Sequence, residues 1–282
     1  MVWPSDGHGV THGWGDLELQ PRDMAKIGAL WLNEGRWDGK QIVPAAYLRA
    51  ATAIHSENAE GEGYGYGFWV HPGVAGGMFE ATGRGGQRIT VLPSRNVVLA
   101  ITGGGFDPGA IAQFLFDAIK SDGGALPENP AAAATLRAAI AAAGEAPHAD
   151  RQSAVSAAPD IVRKISGKRY EVQVNPWNLR AFRFRFPSGG AAPVLQLSFS
   201  DSHSELVKIG MHGSPILSPV GAHRALVSGS FDGPDTLVVD YNQIGRINDI
   251  ELRCRFTADG VAIQLFEKTE RARFELSGRQ QP

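Results

Sequence analysis

The sequence has one cysteine, Cys254, so no internal disulfide can staple the fold. It has no apolar run approaching the roughly 20 residues that span a bilayer as a helix. Met1 is followed by Trp, Pro, Ser and Asp in place of a basic and then hydrophobic leader. The reading is therefore of a chain neither targeted nor anchored, with no membrane span. An excess of one charge is also lacking. Against 29 acidic residues stand 27 Lys and Arg, scattered along the chain, for a formal net charge of -2. A phosphate backbone selects for a basic patch or stripe, so nucleic acid is excluded as a partner.

Several reactive patterns are missing too. Neither Gly-x-Ser-x-Gly nor a helical His-Glu-x-x-His occurs. His8 and His12 are four apart, but they sit in a Gly-rich loop, and that spacing aligns metal ligands only on a helix. No metal or other cofactor is expected. His203, His212 and His223 are read as solvated loop residues, and Glu60 and Glu62 as part of a polar charged loop.

What is present is enough apolar material for a sizeable core, at 43% of 282 residues. A helix is expected from Pro21, which suits a first helical position, with Met24, Ile27, Leu30 and Trp31 on one face and Gly35 closing it. A short helix follows from Pro44. The stretches 66–70, 87–92 and 97–102 read as strands of an antiparallel meander. Asp107 and Pro108 then offer a cap and a first residue for a helix through Lys120, with Ile111, Phe114, Leu115 and Ala118 as its apolar stripe.

From Ser121 to Pro159 the composition shifts to Ala, Gly, Pro and Ser around an Ala-rich helix opened by Asn129 and Pro130 and ending at Gly144, as in an interdomain connection. Beyond it the period changes to two. The stretches 170–174, 182–186, 194–199, 236–241, 247–256 and 261–266 alternate or are compactly apolar, and turn signals such as Ser188-Gly189-Gly190 separate them. About eight antiparallel strands in a barrel or sandwich are expected. Arg183, Arg185, Arg253 and Arg255 then fall on solvent faces, and Cys254 shares the apolar face of its strand, where it reads as core.

Three segments resemble the β-lactamase and penicillin-binding protein superfamily of serine hydrolases. The first runs from Gly13-Trp14-Gly15-Asp16 through Pro21-Arg22-Asp23-Met24-Ala25 to Gly39-Lys40-Gln41-Ile42-Val43-Pro44. The second joins Tyr64-Gly65-Tyr66-Gly67-Phe68-Trp69 to Phe79-Glu80-Ala81-Thr82-Gly83-Arg84-Gly85-Gly86-Gln87 and is similar to the strand carrying the family's third active-site motif. Where relatives have Lys-Thr-Gly or His-x-Gly, this chain has Ala81-Thr82-Gly83, without the cation or imidazole. The third begins at Leu126-Pro127-Glu128-Asn129-Pro130 and continues through Gly167-Lys168-Arg169-Tyr170 to Asn175-Pro176-Trp177, and is similar to the linker and lipocalin-like β domain of one branch.

The resemblance implies an α+β fold: an antiparallel sheet with flanking helices, a partial β-lactamase or transpeptidase-like fold over residues 1–122. A linker over 123–160 and a β-barrel domain over 161–282 would follow. It implies a small-molecule acyl substrate lying against Ala81, Thr82, Gly83, Gly85 and Gly86, with the backbone amide of Arg84 donating to an oxyanion. Glycine at such an edge has a reason of its own, because a side chain on the near face would block an acyl group.

The superfamily's chemistry also needs a serine with a lysine one helical turn later, and usually a Tyr-x-Asn. No serine in this chain has lysine three residues on: Ser166 has Lys168 and Ser204 has Lys208. The nearest thing to Tyr-x-Asn is Tyr241-Asn242. The expectation is a carboxyl-terminal portion of such a hydrolase, inactive alone, with self-association through apolar surface left uncovered on the sheet or on the helix from Ile111. Two other classes stand beside it: a non-catalytic module binding a small apolar ligand or a partner through its β domain, and an enzyme with a site of its own.

Overall fold

The structure, a computed structural model, describes residues 2–13, 15–104, 106–119, 124, 127–144, 160–211, 214–221 and 223–281. It is mixed α and β and dominated by sheet. Trp14, Lys120, Leu126, His212 and residues 145–159 of the stretch read as a linker lie outside the described residues. The chain divides into two compact units, Met1–Pro130 and Ala131–Pro282.

In the first unit six antiparallel strands follow one another in sequence order: Ser56–Glu57, Gly63–Tyr64, Trp69–His71, Met78–Thr82, Arg88–Leu92 and Val97–Ile101. The helix Pro21–Leu32 starts at its proline and packs on the last two strands. Alternation along the strands supplies its bed, since Ile89 and Val98 stand on the face it covers. Gly28 is the point of closest approach: a Cβ there would lie 2.4 Å from Val98 Cγ1 and 2.9 Å from Ile89 Cγ2. Aromatic edges extend the same core, with Trp31 against Phe68 at 4.8 Å and Phe68 against Phe79 at 5.5 Å between ring centroids.

The helix Pro108–Ala118 is capped as its sequence signals, Gly109 N–H donating to Asp107 Oδ1 at 2.9 Å. Its expected stripe needs correction. Ile111 and Leu115 are half-buried, whereas Phe114 is 75% exposed and Ala118 is exposed. Apolar spacing alone could not assign the buried side, because Phe114 and Phe116 occupy both flanks of a helix whose every turn carries an apolar residue.

The second unit carries the Ala-rich helix Pro130–Ala143, exposed along its length, the short helix Asp160–Ile165, and an eleven-stranded sheet. From one end the strands run Ser204–Lys208, Val194–Phe199, Leu179–Arg185, Arg169–Val172, Ala272–Gln280, Gly260–Glu267, Asp249–Phe256, Thr236–Ile244 and His223–Phe231. Gly210–Met211 and Ile216–Val220 both pair with His223–Phe231, the former in parallel. The sheet curls until it nearly closes. Ser218 ties the two ends together, its hydroxyl accepting from Lys208 N–H at 2.8 Å and donating to Lys208 O at 3.1 Å.

The interior of this sheet is packed with side chains that include Tyr170, Phe184, Leu195, Val207 and Leu237, all essentially inaccessible. Cys254 belongs to the same core, and burial pushes its thiol up to about 12. The strand count departs from the expected eight because of the strand Ala272–Gln280 and, above all, because of residues 204–231. There Ser, Gly, Pro and His look like loop, yet alternate residues such as Val207, Ala225 and Val227 face the core. His223 accordingly opens a strand and is not a loop residue.

Candidate functional site

The strands Met78–Thr82 and Arg88–Leu92 form a hairpin whose register pairs Glu80 with Thr90, Ala81 with Ile89 and Thr82 with Arg88. Its connection is the glycine-rich run. Gly83 continues the extended strand and its N–H donates to Gln87 O at 2.7 Å, closing the hairpin end. Between them Arg84–Gly86 make one 3₁₀ turn in which Gly85 and Gly86 take φ of 79° and 90°, a region L side chains avoid. Thr82, Gly83 and Arg84 are exposed, while Ala81, Gly85 and Gly86 are half-buried. All six residues singled out in the sequence thus lie together at one end of one hairpin.

Gly86 also has a reason internal to the protein. A Cβ there would lie 2.5 Å from Pro108 Cγ and 3.1 Å from Phe106 Cζ, so the turn rests on the chain leading into the helix Pro108–Ala118.

Alternation puts Glu80 and Thr82 on one face of their strand, together with Thr90 and Arg88 of the next. Glu80 is buried. Thr90 Oγ1 donates to its Oε2 at 2.7 Å, Arg88 Nη1 lies 3.5 Å from Oε2, and His71 Nε2 lies 3.6 Å from Oε1. The Arg88 Nε and His71 Nε2 atoms are buried and find no hydrogen-bond partner of their own. A buried carboxylate with these three side chains around it forms a polar network within the sheet.

Sequence reading missed this network, and it missed Gln87. The Gln87 side chain donates from Nε2 to Gly103 O and accepts at Oε1 from Gly103 N–H at 3.3 Å. A glutamate in the middle of an apolar strand was a legible sign of the first. The second had no local sign, because its partner is 16 residues away.

No described serine pairs with a histidine or lysine side chain. The Ser94, Ser166 and Ser218 hydroxyls engage backbone groups, and Ser277 donates to Gln173. Among the described residues no group of three His, Cys, Asp or Glu is placed to hold a metal ion. On the outer face of the second unit a shallow depression of about 130 Å³ is lined by residues including Glu251, Arg253, Phe266 and Arg273. Its arginines are engaged with neighbours: Arg253 with Asp232, and the Arg273 guanidinium 4.6 Å above the Phe266 ring.

No family model matches the chain, and no curated protein matches it. Among solved structures it is similar to the octameric penicillin-binding protein homologue from Pyrococcus abyssi, at 16% identity and a TM-score of 0.29, over 91% of this chain and 46% of that one. The chain therefore spans less than half of that protein's length. No described helix is long and apolar enough to cross a membrane.

Proposed function

We propose that the first unit is part of a serine acyl hydrolase related to the β-lactamases and penicillin-binding proteins. The whole form cleaves an ester or amide of a small acyl substrate through an acyl-enzyme. In this reading residues 1–122 belong to the hydrolase domain, 123–160 to a linker and 161–282 to an appended β domain. The substrate lies along Ala81, Thr82 and Gly83, with Gly85 and Gly86 shaping the turn. The Arg84 backbone amide stabilises negative charge on the carbonyl oxygen of the tetrahedral intermediate. The observation that carries this reading is the partly exposed glycine turn at the end of a hairpin whose sheet bears a helix on its opposite face, within sequence that resembles the family on both sides.

The serine and lysine that create the alkoxide are absent from this chain, so the chain alone is inactive. The exposed Phe114 ring suits the further expectation that the piece binds hydrophobic dye or self-associates.

The test has two arms. The purified chain is exposed to p-nitrophenyl acetate, nitrocefin and a fluorophosphonate probe, with no turnover and no labelling expected. The reading frame of the source gene is then followed upstream of Met1. An in-frame Ser-x-x-Lys, together with labelling of that serine in the longer product, supports the reading. Single-site serine labelling of the present chain, or a longer product whose Ser-x-x-Lys serine does not label, overturns it.

The packed interior of the second unit gives no support to the alternative of an apolar ligand held inside the β domain.

A further inference from the structure

We propose that Gln87 is a positioning residue for the Gly83–Gly86 turn, clasping it to the backbone at Gly103; the proposal rests on the reading of that turn as an oxyanion receptor. A 3₁₀ turn containing two glycines at positive φ has little intrinsic stiffness, because glycine populates many backbone states. A site that stabilises a developing charge needs donors fixed before the reaction. Something outside the turn must supply that rigidity.

Three contacts converge on this. Gln87 O accepts from Gly83 N–H at 2.7 Å and fixes the ends of the turn to each other. The Gln87 side chain satisfies both polar groups of one peptide residue, Gly103, which follows the strand Val97–Ile101. The Phe106 ring then wedges against both glycines, with Cζ 3.1 Å from a Cβ built on Gly86 and Cε1 2.5 Å from one built on Gly103. Gln87 is half-buried, so water competes poorly for these bonds. A planar amide, with one donor and one acceptor on the same carbon, matches a backbone N–H and C=O in this way at neutral pH.

Glutamate at position 87 gives a test that a merely space-filling role would not answer. A glutamate carboxylate accepts from Gly103 N–H but cannot donate to Gly103 O. A protonated carboxyl does both and restores the pair.

The full chain is compared as wild type, Gln87→Ala and Gln87→Glu by amide hydrogen exchange, expressed as protection factors. At neutral pH protection at Gly103 and at residues 83–87 is expected to fall about tenfold or more in Gln87→Ala, which loses both hydrogen bonds, and at residues 83–87 to fall less in Gln87→Glu, which loses only the bond donated to Gly103 O, while strand 88–92 keeps its protection. In Gln87→Glu the protection should return to near wild type as the pH falls to about 4, through the ordinary range of a glutamate carboxyl.

Unchanged protection in Gln87→Ala, or no recovery of Gln87→Glu on acidification, overturns the proposal. Titration with methylphosphonate, a tetrahedral anion, tests the underlying reading separately. Shifts of the turn amides are expected in the wild type and not in Gln87→Ala. Their absence from the wild type counts against the oxyanion assignment and leaves the exchange result to judge the clasp.

Discussion

The hydroxyl of Thr90 donates to the carboxylate of Glu80 at 2.7 Å across two paired strands, and both side chains are buried. The same carboxylate lies 3.5 Å from Arg88 and 3.6 Å from His71, so one buried acid organises side chains from three strands.

Removing members of this network should therefore cost unequal amounts. Thr90→Val keeps the volume and deletes one donor, with an expected loss of about 1–3 kcal/mol for a buried acceptor left short of a partner. Glu80→Ala leaves the Arg88 charge without its counter-ion next to a buried, unbonded Nε, and should cost about 3–5 kcal/mol. Urea unfolding of the two variants checks the order. A Glu80→Ala protein as stable as Thr90→Val would mean that the carboxylate does not hold the hairpin.

The helix Pro21–Leu32 and its sheet meet at Gly28, and a methyl group there would collide with Val98 and Ile89, whose branched side chains have little room to rotate away. Gly28→Ala should destabilise by about 1–3 kcal/mol even though alanine raises helix propensity. Trimming the opposing residue relieves the clash. The double variant Gly28→Ala with Val98→Ala should thus lose clearly less than the sum of the single losses in thermal or chemical denaturation. Strict additivity would show that the helix does not seat there.

These contacts separate what the sequence makes legible from what it does not. Pro21, the Asp107–Pro108 cap and the glycines of the turn announce themselves through local backbone rules that need only a few neighbouring residues. The same holds for Cys254, placed in the core by simple alternation. The Gln87 clasp and the Ser218 tie are different, since each joins backbone groups ten or more residues away and depends on where separate strands end up. The strand Ala272–Gln280 escaped notice for another reason. Its Arg273, Glu275 and Arg279 lie on the outer face and give the segment the composition of a loop, while Leu276 and Gly278 line the inside.

Burial of three ionisable groups in the second unit fixes a dependence on alkaline pH. Tyr170 is pushed up to about 12 by burial and, less, by the nearby Cys254; Cys254 is pushed up to about 12 by burial; and Tyr241 is pushed up to about 12 by burial and by the Glu205 charge. In the unfolded chain the thiol is half ionised near pH 8.5 and the phenols near 10, whereas in the native protein that midpoint moves to about 12. The native state then binds more protons than the unfolded one between those limits, so stability falls as pH rises through the window. Below about pH 7 the three groups contribute almost no slope, because both states hold the protons. Tyr170→Phe deletes one of them and should recover about 1–3 kcal/mol of the alkaline loss, the amount a shift of about two pH units carries. Unfolding free energies measured from pH 7 to about pH 11, across the intrinsic range of cysteine and tyrosine, would display this as a shallower decline for Tyr170→Phe than for wild type. Parallel declines would mean that the Tyr170 hydroxyl reaches water in the native protein.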